Sequence, residues 1–176
     1  MKKIIGDPGK INKDIIAIIK KTKISSYYLK NKKDFRDKIL DEIKPSDHVV
    51  DIGMAMRDKH KEIKANLLQT LDVNDFGNYP DIICDICSNV SGLEKKYDKI
   101  ICLAILEHVY NPFKAIENLR SMLKDNGMIY GFVPYLYKYH APMDLKYQDY
   151  FRFSKDTLAY LFKDFNHVEL FPLRGR

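Results

Sequence analysis

Two histidines in the second half of the chain have the chemistry of a general base. His108 directly follows a predicted strand, and His140 lies in a long segment after the next predicted strand. An imidazole with an ordinary pKa of about 6.5 can take a proton from an alcohol or an amine at neutral pH. His140 is our preferred candidate base, because His108 and its neighbour Glu107 could simply hold a turn through hydrogen bonds. Three further histidines fall away from this region: His48, His60 and His167.

Three predicted strands in the first half of the chain end at an aspartate. They end at Asp51, Asp72 and Asp85, and Gly53 follows the first of them. Ligands of open α/β sheets bind outside the carboxyl ends of the strands, where a carboxylate can accept hydrogen bonds from two ribose hydroxyls. Each aspartate alone could be a turn residue. Three in succession indicate a nucleotide-like ligand at one edge of a sheet.

A tyrosine-rich segment, 135–153, is long for a connection without regular structure, and such connections are usually lids or binding loops. Aromatic faces stack on sugars or planar rings, and a basic side chain could bind a phosphate there. Alternatively, half of the tyrosines pack against the N-terminal helices and Asp149 forms a structural pair with Arg152. The candidate acceptor-binding residues are Tyr135, Tyr139, Tyr150 and Arg152.

The element that must position the histidines is a strand, loop, helix and strand unit over 97–133. The run 99–103 is apolar on both faces, which is typical of a strand inside a parallel sheet. Asn111 and Pro112 predict a helix start, and Asn126-Gly127 predicts its left-handed stop. A second apolar strand, 128–133, then ends at Pro134.

The rest of the chain alternates helical and strand patterns. Isoleucines from 11 to 19 and apolar residues from 35 to 43 predict two amphipathic helices, and Ser154 predicts the cap of another. This alternation predicts an α/β fold with a doubly wound, mostly parallel sheet of Rossmann-like type. The predicted division is a basic N-terminal helical extension, 1–44, and a ligand-binding domain, 45–176. The remaining predicted strands are 48–52, 67–71, 81–84 and 167–171.

The sequence Leu-Glu-His-Val at 106–109, followed by Pro112, a helix, Gly127 and a strand, resembles class I S-adenosylmethionine-dependent methyltransferases, and in particular the methyltransferase type 11 group. The segment 133–154, VPYLYKYHAPMDLKYQDYFRFS, is similar to members found in glycan biosynthesis. The resemblance covers about 47–172. Such methyltransferases usually add a final antiparallel strand, and because this sequence ends at Arg176 we expect that strand to be missing or supplied from elsewhere.

The resemblance implies that 49–53, VVDIG, is the first cofactor motif. Gly53 would let the backbone approach S-adenosylmethionine, and Asp51 would accept a hydrogen bond from the cofactor's ammonium. Ala55 stands where the family has a second glycine, and an alanine there is strained if its φ is positive. The short polar segment 57–64 leaves room only for a shortened first helix.

The resemblance also implies the other cofactor contacts. Asp72 would accept hydrogen bonds from the ribose hydroxyls, and Val73 would border the adenine. Asp85 would accept a hydrogen bond from the adenine amino group, with the Ile86 backbone amide beside it. Leu103 and Ala104 would line the methionine end of S-adenosylmethionine, whose product is S-adenosylhomocysteine.

Composition limits the class of protein. The chain has 176 residues, 45% hydrophobic content and no apolar run near the roughly 20 residues that span a bilayer, so we expect a cytoplasmic protein without a transmembrane segment. The first 44 residues hold 13 of the 30 Lys and Arg residues and only 6 of the 24 acidic ones. That segment could approach an anionic carrier, or could be a solvated helix face.

Cys84 and Cys87 match C-x-x-C, but no second pair completes a zinc site, and we predict no metal. The leading hypothesis is a methyltransferase for a small-molecule or glycan acceptor, with phosphate on the acceptor as one option and a homodimer left open. The alternative is a binding or regulatory protein of the same fold with reduced catalysis. A nicotinamide oxidoreductase would need G-x-G-x-x-G after the first strand, and nucleic acid is disfavoured as a partner because no RNA-stacking motif is found.

Overall fold

A five-stranded, fully parallel sheet forms the centre of the protein in a computed structural model, which describes residues 8–25 and 31–173. The chain enters the sheet at a central strand, moves outward on one side, returns to the centre and moves outward on the other side. The predicted α/β class with a doubly wound parallel sheet is therefore confirmed. In chain order the helices and strands are α1 (Pro8–Lys21), β1 (Lys23–Ile24), α2 (Lys32–Glu42), β2 (His48–Ile52), β3 (Leu67–Asp72), β4 (Ile82–Ile83), β5 (Tyr97–Leu103), α3 (Pro112–Met122), β6 (Leu123–Phe132), α4 (Lys155–Leu161) and β7 (Glu169–Leu170).

The sheet has the order β4-β3-β2-β5-β6, so the direction of winding changes between β2 and β5. Such a point leaves a crevice outside the carboxyl ends of the two strands, because their following loops turn to opposite sides. The turns after both strands are short 3-10 helices, at Arg57–Glu62 and Leu106–His108. The shortened first helix expected from the sequence is thus a 3-10 helix of six residues.

Both faces of the sheet are covered, which explains why its central strands are apolar on both sides. On one face, α3 and α4 pack against alternate side chains of the central strands such as Val50 and Ile100. On the other face, α2 packs against Val49, Ile101 and Tyr130. Strand β2 has the predicted bounds, whereas β5 begins two residues before the predicted Lys99 and β4 is shorter than predicted.

The prediction that Asn126-Gly127 ends the helix before β6 is wrong. Helix α3 ends at Met122, because the amides of Lys95 and Lys96 donate to the carbonyls of Ser121 and Met122 and replace the next helical bonds. The positive φ of Asn126, 66°, is real but belongs to an irregularity inside β6, where the pairing with β5 shifts register. The Asn-Gly pair at 126–127 therefore marks an irregularity within a strand and not the end of a helix.

The sequence predicts a boundary between an N-terminal extension and a domain at residue 44. The structure describes most of the residues before that boundary, 8–25 and 31–44. Helix α2 is built into the core, with Phe35 and Ile39 buried against the sheet. Helix α1 contacts α4, and β1 pairs in parallel with β7 as a separate two-stranded sheet. The division at residue 44 stays a prediction, and parts of it, 1–7 and 26–30, lie outside the described residues.

Two absences hold for the described part of the chain. The main sheet there contains no antiparallel strand, and the last predicted strand, 167–171, is reduced to β7 beside β1. No helix there is long and apolar enough to cross a membrane.

Candidate functional site

The turn after β2 requires glycine at position 53. Gly53 has φ +67°, and its amide donates to the carbonyl of Leu71 at 2.8 Å. A Cβ at this position would lie 2.5 Å from Cδ1 of Ile105 and 4.0 Å from Oδ2 of Asp72. The turns after β2, β3 and β5 therefore meet closely around Gly53.

Asp51 holds this turn from beneath. Its carboxylate is fully buried and accepts hydrogen bonds from the amides of Ala55 and Met56, at 2.9 and 3.3 Å, while Nδ1 of His60 lies 2.9 Å from Oδ2. Burial raises the pKa of Asp51, and the bonds from His60 and the amides offset only part of that rise. The sequence assigns His60 no role at the site, but in the structure its ring contacts the Asp51 carboxylate and helps to hold it in place.

Ala55 lacks the positive φ that would make an alanine strained at this position. The positive φ angles after Gly53 belong to Met54 and Arg57, at 45° and 52°, and not to Ala55. Ala55 is buried in the core beneath α2, and its carbonyl accepts a hydrogen bond from Arg36 at 3.0 Å. Alanine at this position is therefore compatible with the turn.

Asp72 lies at the end of β3, facing Gly53. Its Oδ1 accepts from the amide and side chain of Asn74, at 2.9 and 3.2 Å, and its Oδ2 accepts from the Tyr79 hydroxyl at 3.1 Å. Burial and the neighbouring Asp72 raise the pKa of Tyr79, so its hydroxyl stays a donor. The Asn74 side chain also accepts from the amide of Lys146, which ties the tyrosine-rich segment to this strand end.

Asp85 lies beyond β4 with one oxygen on each side of a turn. Its Oδ1 accepts from the Cys87 amide at 2.8 Å, and its Oδ2 accepts from the Tyr110 hydroxyl at 3.2 Å.

Ala104 follows directly after β5 and has a φ of +59°, a conformation unusual for a residue with a Cβ. Its amide donates to the carbonyl of Phe132. The predicted cofactor residues that line one continuous cleft are Gly53, Ala55, Asp72, Val73, Asp85, Ile86, Leu103 and Ala104.

The two candidate bases meet in the same cleft. Nε2 of His108 and Nε2 of His140 are 3.1 Å apart. Nδ1 of His108 lies 2.8 Å from the Gln148 carbonyl, and Nδ1 of His140 lies 3.0 Å from Oδ2 of Asp149. Since both partners only accept, each Nδ1 atom carries a proton, and the two Nε2 atoms can lie 3.1 Å apart only with a proton or a cation between them.

Glu107 lies beneath both rings. It is fully buried, and its Oε1 is 3.8 Å from Nε2 of His140 and 4.0 Å from Nε2 of His108. Neither carboxylate oxygen has a hydrogen-bond partner within the ranges the structure describes. Burial outweighs the attraction of Lys32 and Arg152 and raises the pKa of Glu107 to about 7.

The tyrosine-rich segment divides into two parts. Tyr135 and Tyr150 are exposed and line the cleft, whereas Tyr139 lies outside it and bonds to Gln148. Arg152 also lies outside the cleft and is engaged by both oxygens of Asp149 and by the carbonyls of 137, 138 and 151. The structural pair considered as the alternative for Arg152 is therefore present. Asp51 is the other predicted residue that does not line the cleft.

The sequence does not indicate the contacts that four residues make at the site. It places Glu107 where it could hold a turn and Tyr147 within the tyrosine-rich segment, and it assigns no role to Asn74 and Tyr79. Tyr147 lies with its ring centroid 4.8 Å from that of His108. An acidic residue beside a histidine after a buried strand was the available signal for Glu107, whereas nothing local indicated the other three.

Comparisons with known proteins find solved structures only. No family model and no curated protein matches the chain. Similar structures include a Bacillus halodurans protein provisionally named a methyltransferase (14% identity, TM-score 0.44), the Bacillus subtilis YcgJ protein (15%, 0.49), and a Haloferax volcanii complex of the Trm112 methyltransferase activator with a provisionally named methyltransferase (14%, 0.48). They match 53%, 64% and 75% of this chain. The chain spans only 47%, 53% and 62% of theirs, and similarities at this level do not establish a family.

Proposed function

We propose that the protein is an S-adenosylmethionine-dependent methyltransferase that acts on a small-molecule or glycan acceptor. The observation that supports this most strongly is the closeness of two sets of residues that line one cleft, the first being Gly53, Asp72 and Asp85 and the second His108 and His140. Gly53 packs against Ile105 in the turn that leads to His108, and Asn74, which bonds Asp72, also bonds the amide of Lys146 next to Tyr147, whose ring contacts His108. The first set suits an adenosyl group, and the second suits an acceptor that must lose a proton.

The cofactor half of the cleft combines close backbone approach with carboxylates. Gly53 lets the turn after β2 pack closely against Ile105, because a Cβ at this position would lie 2.5 Å from Cδ1 of Ile105. Asp72 uses its oxygens for Asn74 and Tyr79, but each carboxylate oxygen can accept a further bond, as two ribose hydroxyls require. Asp85 would accept from the adenine amino group in the same way.

The chemistry assigned to the other half follows from the reaction. Methyl transfer from a sulfonium is an in-line displacement, in which the enzyme positions the nucleophile and a base takes its proton. Nε2 of His140 carries a lone pair because Nδ1 donates to Asp149, and that carboxylate is itself held by Arg152. His140 is therefore the proposed base, with His108 beside it.

The acceptor surface is proposed from the exposed aromatic residues around the cleft. Tyr135, Tyr137 and Tyr150 are 64%, 58% and 48% exposed and all line it. Flat faces with hydroxyl groups suit a sugar or another ring. Arg152 is bonded throughout within the chain, so we do not extend the proposal to a phosphate on the acceptor.

Equilibrium dialysis against tritium-labelled S-adenosylmethionine tests the cofactor half. Asp72→Asn should weaken binding by about 10-fold or more, because charged hydrogen bonds to the ribose are lost. Asp75→Asn is the matched control, since Asp75 is exposed and bonds only the nearby Gly77 amide among the contacts described. Equal binding by Asp72→Asn, folded by circular dichroism, and the wild type would contradict the ribose assignment.

A binding protein with reduced catalysis is the second candidate, and the internal bonding favours it. The carboxylates of both Asp51 and Asp72 are engaged within the chain. This candidate predicts cofactor binding without transfer of label to a panel of sugars and sugar phosphates. Transfer that is lost in His140→Ala would favour the enzyme.

A further inference from the structure

A buried carboxylate without a partner is the starting point. Glu107 has no exposed surface, and both its oxygens lack a hydrogen bond among the residues that are described. A buried polar group left unpaired destabilises the folded protein, and more strongly when it is charged. Native structures rarely keep such a group unless something outside the chain satisfies it.

The two imidazoles above Glu107 present the same problem. Their Nδ1 protons are directed to Gln148 and Asp149, so two Nε2 lone pairs face each other at 3.1 Å. Two lone pairs at this distance repel unless a proton or a cation lies between them. The three donor atoms lie within 4.8 Å of one another, and all three residues line the cleft.

We propose that Glu107, His108 and His140 bind a divalent transition-metal ion through one carboxylate oxygen and the two Nε2 atoms. The sequence alone had predicted no metal. Two imidazoles and one carboxylate form a donor set typical of Zn²⁺ and other first-row ions with open coordination positions, whereas Mg²⁺ prefers oxygen ligands and water.

The spacing suits such an ion. Ligand atoms about 2.1 Å from a tetrahedral ion lie about 3.4 Å from each other. The Nε2 to Nε2 distance is 3.1 Å, and Oε1 of Glu107 is 3.8 and 4.0 Å from the two nitrogens. A shift of the carboxylate by about 0.5 Å, well within a side-chain adjustment, would complete the set.

The groups around the donors are arranged as they are around metal-binding histidines. Such histidines usually donate their other ring N–H to a carboxylate or a backbone carbonyl, which fixes the tautomer. Here Asp149 serves His140 and the Gln148 carbonyl serves His108. The Glu107 carbonyl accepts from the amides of 150 and 151, so the same segment also fixes the turn after β5 that carries the carboxylate.

This inference does not depend on methyl transfer. A divalent ion here would supply open positions for an oxygen of a ligand in the cleft and would lower the pKa of a bound hydroxyl. If the proposed function also holds, Nε2 of His140 is taken up by the ion and is not the base; the ion then lowers the pKa of the bound acceptor hydroxyl, which loses its proton to solvent. If it fails, the metal site stands on its own donor atoms.

Calorimetric titration of Zn²⁺ into the tag-free, chelator-treated protein, without S-adenosylmethionine, tests the proposal. We expect one ion per chain, binding at least 100-fold tighter than Mg²⁺, and a loss of 100-fold or more in affinity in His140→Ala and in Glu107→Gln. Asp149→Asn, which weakens the support of His140 and also the pair with Arg152, should weaken binding by about 10-fold to 100-fold.

Two matched controls separate this site from other zinc ligands. His167→Asn changes an exposed histidine, and Cys84→Ser removes half of the C-x-x-C pair; both should bind Zn²⁺ like the wild type. Binding that survives in both His140→Ala and Glu107→Gln, or that is lost in Cys84→Ser, would overturn the proposal. So would Mg²⁺ binding equal to that of Zn²⁺. Circular dichroism verifies that each variant is folded.

Discussion

At the scale of single residues, backbone conformation at the strand ends determines whether the cleft can form. Gly53, Met54 and Ala104 all have positive φ, and they border the same cleft or its turn. Only the first of them is glycine, so the chain carries backbone strain at two positions next to the proposed cofactor site. Strain of this kind persists when the surrounding contacts enforce it.

Gly53→Ala should both destabilise the protein and impair ligand binding. The φ of +67° would strain an alanine, and its Cβ would lie 2.5 Å from Cδ1 of Ile105. Together these effects should lower the free energy of unfolding by about 2 kcal/mol. We expect at least a 10-fold weaker affinity for S-adenosylhomocysteine by calorimetry. The matched control is Gly92→Ala, which has φ +84° but open space around it, and should cost only about 1 kcal/mol with unchanged affinity.

Met54 and Ala55 provide a second test of the turn. Met54→Gly should relieve the strain of φ 45°, whereas Ala55→Gly removes a buried methyl group from a residue that is not in the left-handed region. In urea unfolding, the free energy of unfolding of Met54→Gly should be higher than that of Ala55→Gly by about 1 kcal/mol or more. The reverse order would contradict this assignment and would indicate that the positive φ lies at Ala55.

At the scale of elements, one aspartate ties three strands together. Asp98 in β5 accepts from the amide of His48 in β2, at 2.8 Å, and from Nζ of Lys124 in β6, at 2.7 Å. Burial alone would raise the pKa of Asp98, but Lys124 and the His48 amide hold it below its ordinary value. The interaction therefore stabilises the fold only while Asp98 is ionised.

Asp98→Asn should lower the free energy of unfolding by about 1 kcal/mol at neutral pH. Because the pKa of the folded state is the lower one, this contribution is present above the unfolded pKa of about 3.9 and is lost as the pH falls through the folded value. Urea unfolding from pH 7 to pH 3 should show the difference between wild type and variant shrinking toward zero. A constant difference would contradict the assignment.

Asp125→Asn is the control for Asp98→Asn. It removes another aspartate–lysine pair, with Lys95, in which both side chains are highly exposed. Such a pair contributes little, and its removal should change stability by less than about 0.5 kcal/mol at any pH.

Elements whose signals are local were predictable from the sequence. The apolar run of β2 and the caps Asn111 and Ser154 are all found as expected, because a cap bonds amides two or three residues away. The end of α3 was not, since it depends on amides of Lys95 and Lys96 from a distant loop. The pairing of β7 with β1 likewise depends on contacts that no local pattern encodes.

At the scale of the whole molecule, α2 makes the N-terminal segment part of the core. Ile39 is fully buried against the sheet, and Tyr130 in β6 donates to Glu42 at 2.8 Å. Ile39→Ala should therefore lower the free energy of unfolding by about 2–4 kcal/mol. Far-ultraviolet circular dichroism should show one cooperative transition at a lower urea midpoint.

The control for Ile39→Ala is Ile16→Ala, because Ile16 in α1 is 41% exposed. It should change stability by less than about 1 kcal/mol. If Ile39→Ala left the main transition in place and produced a separate early one, α2 would be an appended segment and the division at residue 44 would be supported.

The candidate site was predictable only in part. Gly53, Asp72 and Asp85 were found because their positions after successive strands follow from the rule that ligands bind at strand ends. The contact between His108 and His140, with Glu107 beside them, could not be predicted from the sequence. The two histidines are 32 residues apart, and the path of the intervening chain determines the distance between them. Burial of Glu107 and its lack of partners are likewise properties of the assembled fold.

The central claim is that the cleft binds S-adenosylmethionine, and calorimetric titration with S-adenosylhomocysteine tests it most directly. We predict one site per chain with a dissociation constant below about 100 µM, at least 10-fold tighter than for ATP or NAD, and weakened in Gly53→Ala. Absence of detectable heat at millimolar S-adenosylhomocysteine, with the wild-type protein folded, would contradict the account.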